Sequence, residues 1–388
     1  MNALNEIQWD TPGRLDVLLS QIDPQVARTL TRALEGGELD FDDGLQLARA
    51  CGHEMEATVL AADRIRRERV GDVITYVVNR NINFTNICFV GCRFCAFSRA
   101  PRESDAYFHS FEEMQRRARE AWDLGAREVC VQGGLPRELD PYYYRDLLRA
   151  IKQATPEMHI HAFSPMEVVY GVELTKMPLA DYLAMLKDAG LGTLPGTAAE
   201  ILDDEVRHQI ERIKLKVGQW LDVIKTAHTL GIRTTSTMMY GHTESEAHWV
   251  RHLMLLRDVQ KETGGFTEFV PLGFVHEFTQ LYRSGDARPG PTIAEHLKVH
   301  ALSRLMLQSW IDNIQVSWVK MSGEVTQACL RAGANDYGGT LMNENISREA
   351  GSTAGEYLAP EEFHARIREL GRVPAERTTL YKIVQQYG

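Results

Sequence analysis

From Gly71 onward, short apolar runs rich in β-branched and aromatic residues alternate with longer stretches whose apolar positions recur at helical spacing. The runs predict strands at 82–87, 128–132, 158–163, 192–195, 233–239, 267–271, 313–318 and 335–340. The stretches between them predict helices near 111–124, 141–154, 179–189, 218–230, 246–263, 292–310 and 322–332. Gly125, Gly190, Gly231 and Gly333 fall where helices should hand over to strands, the usual place for a helix-ending glycine. Eight strands separated by helices predict an α/β fold, a (β/α)8 TIM-type barrel. Ahead of it, Asp23-Pro24 opens one helix, Gly36-Gly37 ends it, and 40–50 and 54–69 supply two more. The expected organisation is an N-terminal helical extension (1–70), the barrel (71–345) and a C-terminal helical closure with a tail (346–388).

In such barrels the C-terminal ends of the strands carry the chemistry. The polar and glycine-rich segments collect there. A cysteine loop follows the first candidate strand, Gln132-Gly133-Gly134 the second, and Ser164-Pro165-Met166-Glu167 the third. Pro195-Gly196-Thr197 and Tyr240-Gly241-His242-Thr243-Glu244 follow the next two, then His276 and Glu277, then Ser317, Trp318 and Lys320, then 338–344. His159 and His161 share one face of their strand, so both can point inward or serve as buried, hydrogen-bonded core. Ser164 and Glu167 are candidate ligand contacts, because loops carry function. Asn335, Asp336, Thr340, Asn343 and Glu344 cluster polar groups beside a glycine pair, and are candidates for substrate recognition; a capping turn is the bland alternative.

Charge and cysteine usage narrow the picture. The net charge is -10, which disfavours a nucleic-acid partner. No run of eighteen apolar residues suggests a membrane span, and the N-terminus lacks the features of a signal peptide. Of six cysteines, Cys51, Cys130 and Cys329 read as packing or surface thiols, and the expected compartment is the reducing cytoplasm.

The other three stand together in Cys88-Phe89-Val90-Gly91-Cys92-Arg93-Phe94-Cys95. Three thiolates at Cys-x3-Cys-x2-Cys spacing can hold three corners of a 4Fe-4S cube and leave one iron open. A zinc site would want a fourth Cys or His close by.

This spacing resembles that of the radical S-adenosylmethionine (SAM) enzymes. The resemblance implies that the open iron binds SAM, that Cys88, Cys92 and Cys95 are the metal ligands, that Phe94 meets the adenine, and that Gln132, Gly133 and Gly134 line the methionine moiety. Ser164 and Tyr240 join them as candidate cofactor contacts. Further segments, 76–86 (YVVNRNINFTN), 131–136 (VQGGLP), 159–167 (HIHAFSPME), 190–200 (GLGTLPGTAAE), 263–271 (TGGFTEFVP), 313–320 (NIQVSWVK) and 338–344 (GGTLMNE), are similar to the CofH family. That family is subunit 2 of Fo synthase, the 5-amino-6-(D-ribitylamino)uracil–L-tyrosine 4-hydroxyphenyl transferases. Two menaquinone-pathway relatives, aminofutalosine synthase and dehypoxanthine futalosine cyclase, share the cysteine motif and are the alternative.

The CofH resemblance implies that a 5'-deoxyadenosyl radical takes hydrogen from the amino group of L-tyrosine and that the Cα–Cβ bond breaks. The 4-hydroxybenzyl group then adds to C5 of the uracil, leaving 2-iminoacetate. Glu167, His242 and Glu244 are the candidate bases for the tyrosine amine, and His161, Trp318, Asn335, Asp336, Thr340, Asn343 and Glu344 the candidate substrate contacts. It also implies a ferredoxin or flavodoxin as electron donor and a CofG-type partner that closes the deazaflavin ring. One departure stands out: Glu211 and Arg212 occupy positions where some relatives carry Cys-Pro.

Overall fold

The computed structural model describes all residues except Met1, Asn2, Ala3, Asn5, Glu6, Asp10, Arg212 and Lys214, so the Arg212 half of that departure lies outside the described residues. Ten strands are present among the described residues: β1 (Val73–Val77), β2 (Asn79–Ile82), β3 (Glu128–Val131), β4 (His159–Ala162), β5 (Thr193–Leu194), β6 (Arg233–Tyr240), β7 (Phe266–Gly273), β8 (Asp336–Gly339), β9 (Val373–Arg377) and β10 (Ile383–Gln386). β2 to β7 pair in parallel, in chain order. The bridges Phe269–Ile314 and Gln315–Asp336 carry the sheet on to β8, which is parallel to β1. β1 and β2 are one strand interrupted at Val78, so the pairing closes the expected parallel barrel.

Three local differences have physical reasons. The first strand begins at Val73 rather than at 82. Residues 83–87 leave the sheet because asparagine side chains replace its ladder: Asn86 accepts from the Tyr107 amide (2.8 Å) and donates to the Asp105 carbonyl (2.9 Å). The run 313–318 narrows to bridges because Asn335 Oδ1 takes the Ile314 amide (2.9 Å) and Trp318–Lys320 coils into a 3-10 turn. Beyond the closing helix Pro360–Glu369, the tail forms β9, parallel to β1, and β10, antiparallel to β9.

The N-terminal segment folds as four helices, Arg14–Gln21, Pro24–Leu34, Phe41–Arg49 and Gly52–Val70, packed on the outer helices Glu246–Thr263 and Ile293–Leu307. Gly44 marks the closest approach: a Cβ there would stand 2.9 Å from Val250 and 3.0 Å from Met306. Arg257 reaches across to the Leu39 carbonyl (2.8 Å) and Gln308 to that of Ala33 (2.9 Å). No helix among the described residues is long and apolar enough to cross a membrane.

Candidate active site at the mouth of the barrel

The cysteine loop leaves β2 and is tied down on both sides by backbone bonds. Phe89 donates to Leu135 (2.9 Å), Arg93 donates to Ile210 (3.0 Å) and accepts from Leu281 (2.8 Å), and Cys95 donates to Cys92 (3.1 Å). None of the six cysteines is in a disulfide. Cys88, Cys92 and Cys95 are half-buried and line one cavity of about 260 Å³ with Phe94, Gln132, Gly133, Gly134, Ser164 and Glu167. No three His, Cys, Asp or Glu side chains among the described residues converge on a single ion. Three thiols along one cavity wall fit the three-cysteine attachment of a 4Fe-4S cube.

Glycine at 133 and 134 is required by packing. A Cβ on Gly134 would meet the Ile87 carbonyl oxygen at 2.2 Å, and one on Gly133 the Phe84 ring at 2.6 Å. The pair therefore seats the cysteine loop as well as lining the cavity. Gln132 is aimed by its amide, which donates to Thr197 Oγ1 (2.6 Å).

Glu167 is the N3 partner in the capping box of helix Pro165–Thr175. Its Oε2 accepts from the Ser164 amide (2.7 Å) and hydroxyl (2.6 Å), and its Oε1 from the Gly133 amide (3.1 Å). A carboxylate committed to three donors holds the cavity wall in place, which suits a positioning role better than that of a base.

The other two candidate bases lie away from both this cavity and the neighbouring one described below. Glu244 accepts from the Gly241 amide (2.6 Å), the His242 amide (2.8 Å), Trp249 Nε1 (3.0 Å) and Arg288 (2.9 Å). Burial pushes its pKa up, but His242, the Gly241 amide and Arg288 outweigh it, and the group sits below the ordinary carboxylate range. His242 donates from Nε2 to the Met239 carbonyl (3.0 Å), and burial lowers its pKa. The two build the turn after β6. Tyr240 is likewise outside the cavity: its hydroxyl meets His296 Nδ1 (2.6 Å) among the outer helices.

The candidate substrate residues divide. Asn335 is spent on Arg304 (2.8 Å) and the Ile314 amide, and Thr340 on the Asn79 backbone (2.8 and 2.9 Å). Asp336 begins β8, at the end of the strand away from the mouth. It is gripped there by Arg377 (2.5 and 2.9 Å) and by the Thr75 hydroxyl. His161 meets Thr193 Oγ1 (2.7 Å) inside the barrel, where burial pushes its pKa down to about 4 against the pull of Glu128. Asn343 is exposed and Glu344 caps the Ser347 amide (3.0 Å). None of these six lines either cavity. Trp318 does: its indole N–H is anchored on the Gly339 carbonyl (2.9 Å) and it borders a second cavity of about 870 Å³.

The structure adds residues that sequence reasoning did not select. Lys320 stands half-buried in the wall between the two cavities and donates to Ser347 Oγ (2.8 Å). Desolvation lowers its pKa, opposed by Glu344, Glu200 and Cys95. Ala198 and Glu200 line the smaller cavity with left-handed backbone (φ +61° and +44°). Buried Arg207 secures that loop by donating to the carbonyls of Ala198 (3.1 Å) and Ala199 (2.5 Å), and Glu211 pairs with Arg207 at 2.5 Å. Where some relatives carry cysteine, this chain thus has a buried carboxylate that steadies the arginine behind the cavity loop. Lys320 and Glu200 both fall inside the segments quoted above for their family likeness.

Comparison with known proteins agrees with this geometry. Residues 82–256 match the radical SAM superfamily, and residues 263–387 match the CofH/MqnC C-terminal region. Two curated relatives carry the name 5-amino-6-(D-ribitylamino)uracil–L-tyrosine 4-hydroxyphenyl transferase. That of Methanocaldococcus jannaschii is 51% identical over 84% of this chain and 91% of its own length. That of Methanothermobacter thermautotrophicus is 51% identical over 89% and 94%. FO synthase of Nocardia farcinica is 54% identical over 88% of this chain, which spans only 40% of that longer protein. Among solved structures, methylornithine synthase (PylB) superposes with a TM-score of 0.69 at 18% identity, covering 89% of this chain and 97% of that one. The FeFe-hydrogenase maturase HydG from Carboxydothermus hydrogenoformans does so with 0.69 at 15%, covering 95% and 84%. These two support the barrel fold alone. The chain belongs to the radical SAM superfamily and, within it, to the family of the 5-amino-6-(D-ribitylamino)uracil–L-tyrosine 4-hydroxyphenyl transferases.

Proposed function

We propose that this chain cleaves L-tyrosine and transfers its 4-hydroxybenzyl group to C5 of 5-amino-6-(D-ribitylamino)uracil. The observation that carries the reading is the lining of one cavity by Cys88, Cys92, Cys95, Gln132–Gly134 and Glu167, in a chain 51% identical to relatives named for that reaction. Cys88, Cys92 and Cys95 would hold a 4Fe-4S cluster, with SAM beside it in the same cavity. When bound, cluster and SAM supply a 5'-deoxyadenosyl radical, and the hard chemistry is theirs.

The residues of the chain hold, orient and exclude water. Gly133 and Gly134 seat the cysteine loop against Phe84 and Ile87 beside the place the methionine end of SAM would take, and Glu167 fixes the Gly133 amide and Ser164 there. Phe94, packed among Ile210, Met239, Phe274 and Leu281, gives the adenine an apolar wall. Lys320 is the one lysine bordering that cavity among the described residues. It suits a substrate carboxylate and the proton traffic of the tyrosine amine better than His242 or Glu244, which lie outside. The reductant is a ferredoxin or flavodoxin, and a CofG-type partner, in the same chain or another, closes the ring to Fo.

A futalosine-pathway substrate is the second reading, favoured by the C-terminal match, whose description spans both CofH and MqnC. The test is substrate choice. Anaerobically reconstituted protein with SAM and reductant should release 5'-deoxyadenosine and a benzylated uracil when given tyrosine and the ribitylaminouracil. It should release neither with a futalosine-type substrate. The reverse pattern refutes the assignment.

A further inference from the structure

Two residues of the cysteine cavity keep a backbone that side chains rarely adopt. Ala198 and Glu200 lie at φ +61° and +44°, and both line the cavity. Left-handed backbone is costly away from glycine and persists only where the surroundings dictate it. Here β6 holds the two ends of the loop. Thr235 Oγ1 accepts from the Gly196 amide (2.8 Å), Thr237 Oγ1 donates to the Gly196 carbonyl (2.9 Å), and the Met239 amide donates to the Glu200 carbonyl (2.8 Å). Arg207 holds the middle. It donates to the carbonyls of Ala198 and Ala199 on one side and to that of Leu215 (3.0 and 2.6 Å) on the other. Its side chain is 3% exposed, and the Glu211 carboxylate that pairs with it is fully buried.

The same short helix reaches the opposite wall. Arg207 stands in Asp204–Ile210, and the Ile210 carbonyl at the end of that helix accepts the Arg93 amide of the cysteine loop (3.0 Å). The Arg93 guanidinium donates to the Gln209 carbonyl (3.1 Å), and Ile210 packs with Phe94. Arg207 thus sits where the cysteine loop and the left-handed loop meet, yet it lines neither cavity. A cation so placed acts on a ligand only through the walls it joins.

We propose that Arg207 and Glu211 are positioning residues for SAM, setting the spacing between the cysteine loop and the 196–200 loop. The inference rests on the cofactor placement proposed above. Arginine suits the task because its rigid fork grips two backbone segments at once, which a lysine ammonium does not. Glu211 supplies the counter-charge that lets the guanidinium stay buried.

The test uses Arg207→Lys, which keeps the charge and loses the fork, and Glu211→Gln, which keeps the shape and loses the charge. In cluster-free protein, hydrogen exchange of the 196–202 amides should quicken about tenfold in each, with β9 unchanged. In anaerobically reconstituted protein, Kd for SAM should weaken about tenfold at unchanged iron content. Arg377→Met disturbs the buried Asp336 pair at the other end of the barrel. Its folded fraction should keep the SAM Kd within about twofold of the parent, which separates positioning from a general loss of stability. If one variant does not fold, the other decides. Unchanged exchange in 196–202, parent-like SAM affinity in a folded variant, or an equal loss of affinity in Arg377→Met overturns the positioning role. Reconstituted parent protein that binds no SAM refutes the cofactor placement as well, whereas a parent and variants that bind SAM equally well refute this role alone.

Discussion

The mouth and the floor of the barrel use the same kinds of side chain to opposite ends. At the mouth, thiols and the amides of Gln132–Gly134 border a cavity, and Glu167 spends its oxygens on holding that wall. At the floor, Arg377 from the tail inserts between Asp336 (2.5 Å) and Glu268 (3.4 Å) and lies over the Tyr381 ring, whose hydroxyl bonds Glu268. Both places are rich in buried polar groups. At the floor every charge named is answered by another side chain, so the groups lock β1, β7, β8 and β9 together. At the mouth the polar groups border a cavity. A buried polar residue therefore points to chemistry only when its partners leave it facing a cavity.

The largest expected contrast is at the cysteines. Cys88→Ala, Cys92→Ala or Cys95→Ala should each abolish the brown colour and SAM cleavage while leaving the melting temperature of cluster-free protein within a few degrees of the parent. Iron analysis and calorimetry check this. At the floor the order reverses. Arg377→Met leaves Asp336 and Glu268 buried without their cation and should cost about 3–5 kcal/mol in stability, read by denaturant unfolding. The folded fraction should still assemble the cluster.

The floor also has a pH signature. Burial, with Asp336 adding to it, pushes Glu268 up to about 7 even though Arg377 pulls the other way. A carboxyl with a raised folded-state pKa keeps its proton when the unfolded chain has released it. Its contribution to stability is therefore full below the ordinary carboxylate pKa and is lost as pH rises through about 7. Glu268→Gln should flatten the fall in stability between about pH 5 and 7 by on the order of 1 kcal/mol per pH unit. An unchanged slope would place the titration elsewhere.

The smallest expected effect is again at the mouth. Glu167→Gln puts an amide donor opposite the Gly133 or Ser164 N–H and should weaken SAM binding by about tenfold, with the cluster intact. Calorimetric titration of SAM into the reconstituted variant measures it.

How much of this could be read from the residues follows the same division. The alternation after Gly71 carried the barrel, because parallel strands buried on both faces write themselves as apolar runs. The cysteine spacing is local, so the loop that places the three thiols on one cavity was legible without any tertiary knowledge. The depth of a polar residue in its strand was not. Asp336 and Thr340 lie four residues apart at the two ends of a short strand, and nothing local says that a tail arginine will claim the first. That tail was the hardest part: β9 pairs with β1 from some three hundred residues away, and its short polar run gives no periodic signal. Lys320 was passed over for a related reason. Its place at the end of a candidate strand put it at the mouth, and only the two cavities on either side of it give it a task.

The division between a reactive mouth and a structural floor is tested most directly by 5'-deoxyadenosine formed per folded molecule, measured side by side in Cys88→Ala and Arg377→Met at a temperature where both are folded. Folded Cys88→Ala should form none, and folded Arg377→Met should match the parent chain. Turnover by Cys88→Ala, or a folded Arg377→Met that forms no 5'-deoxyadenosine, would contradict it.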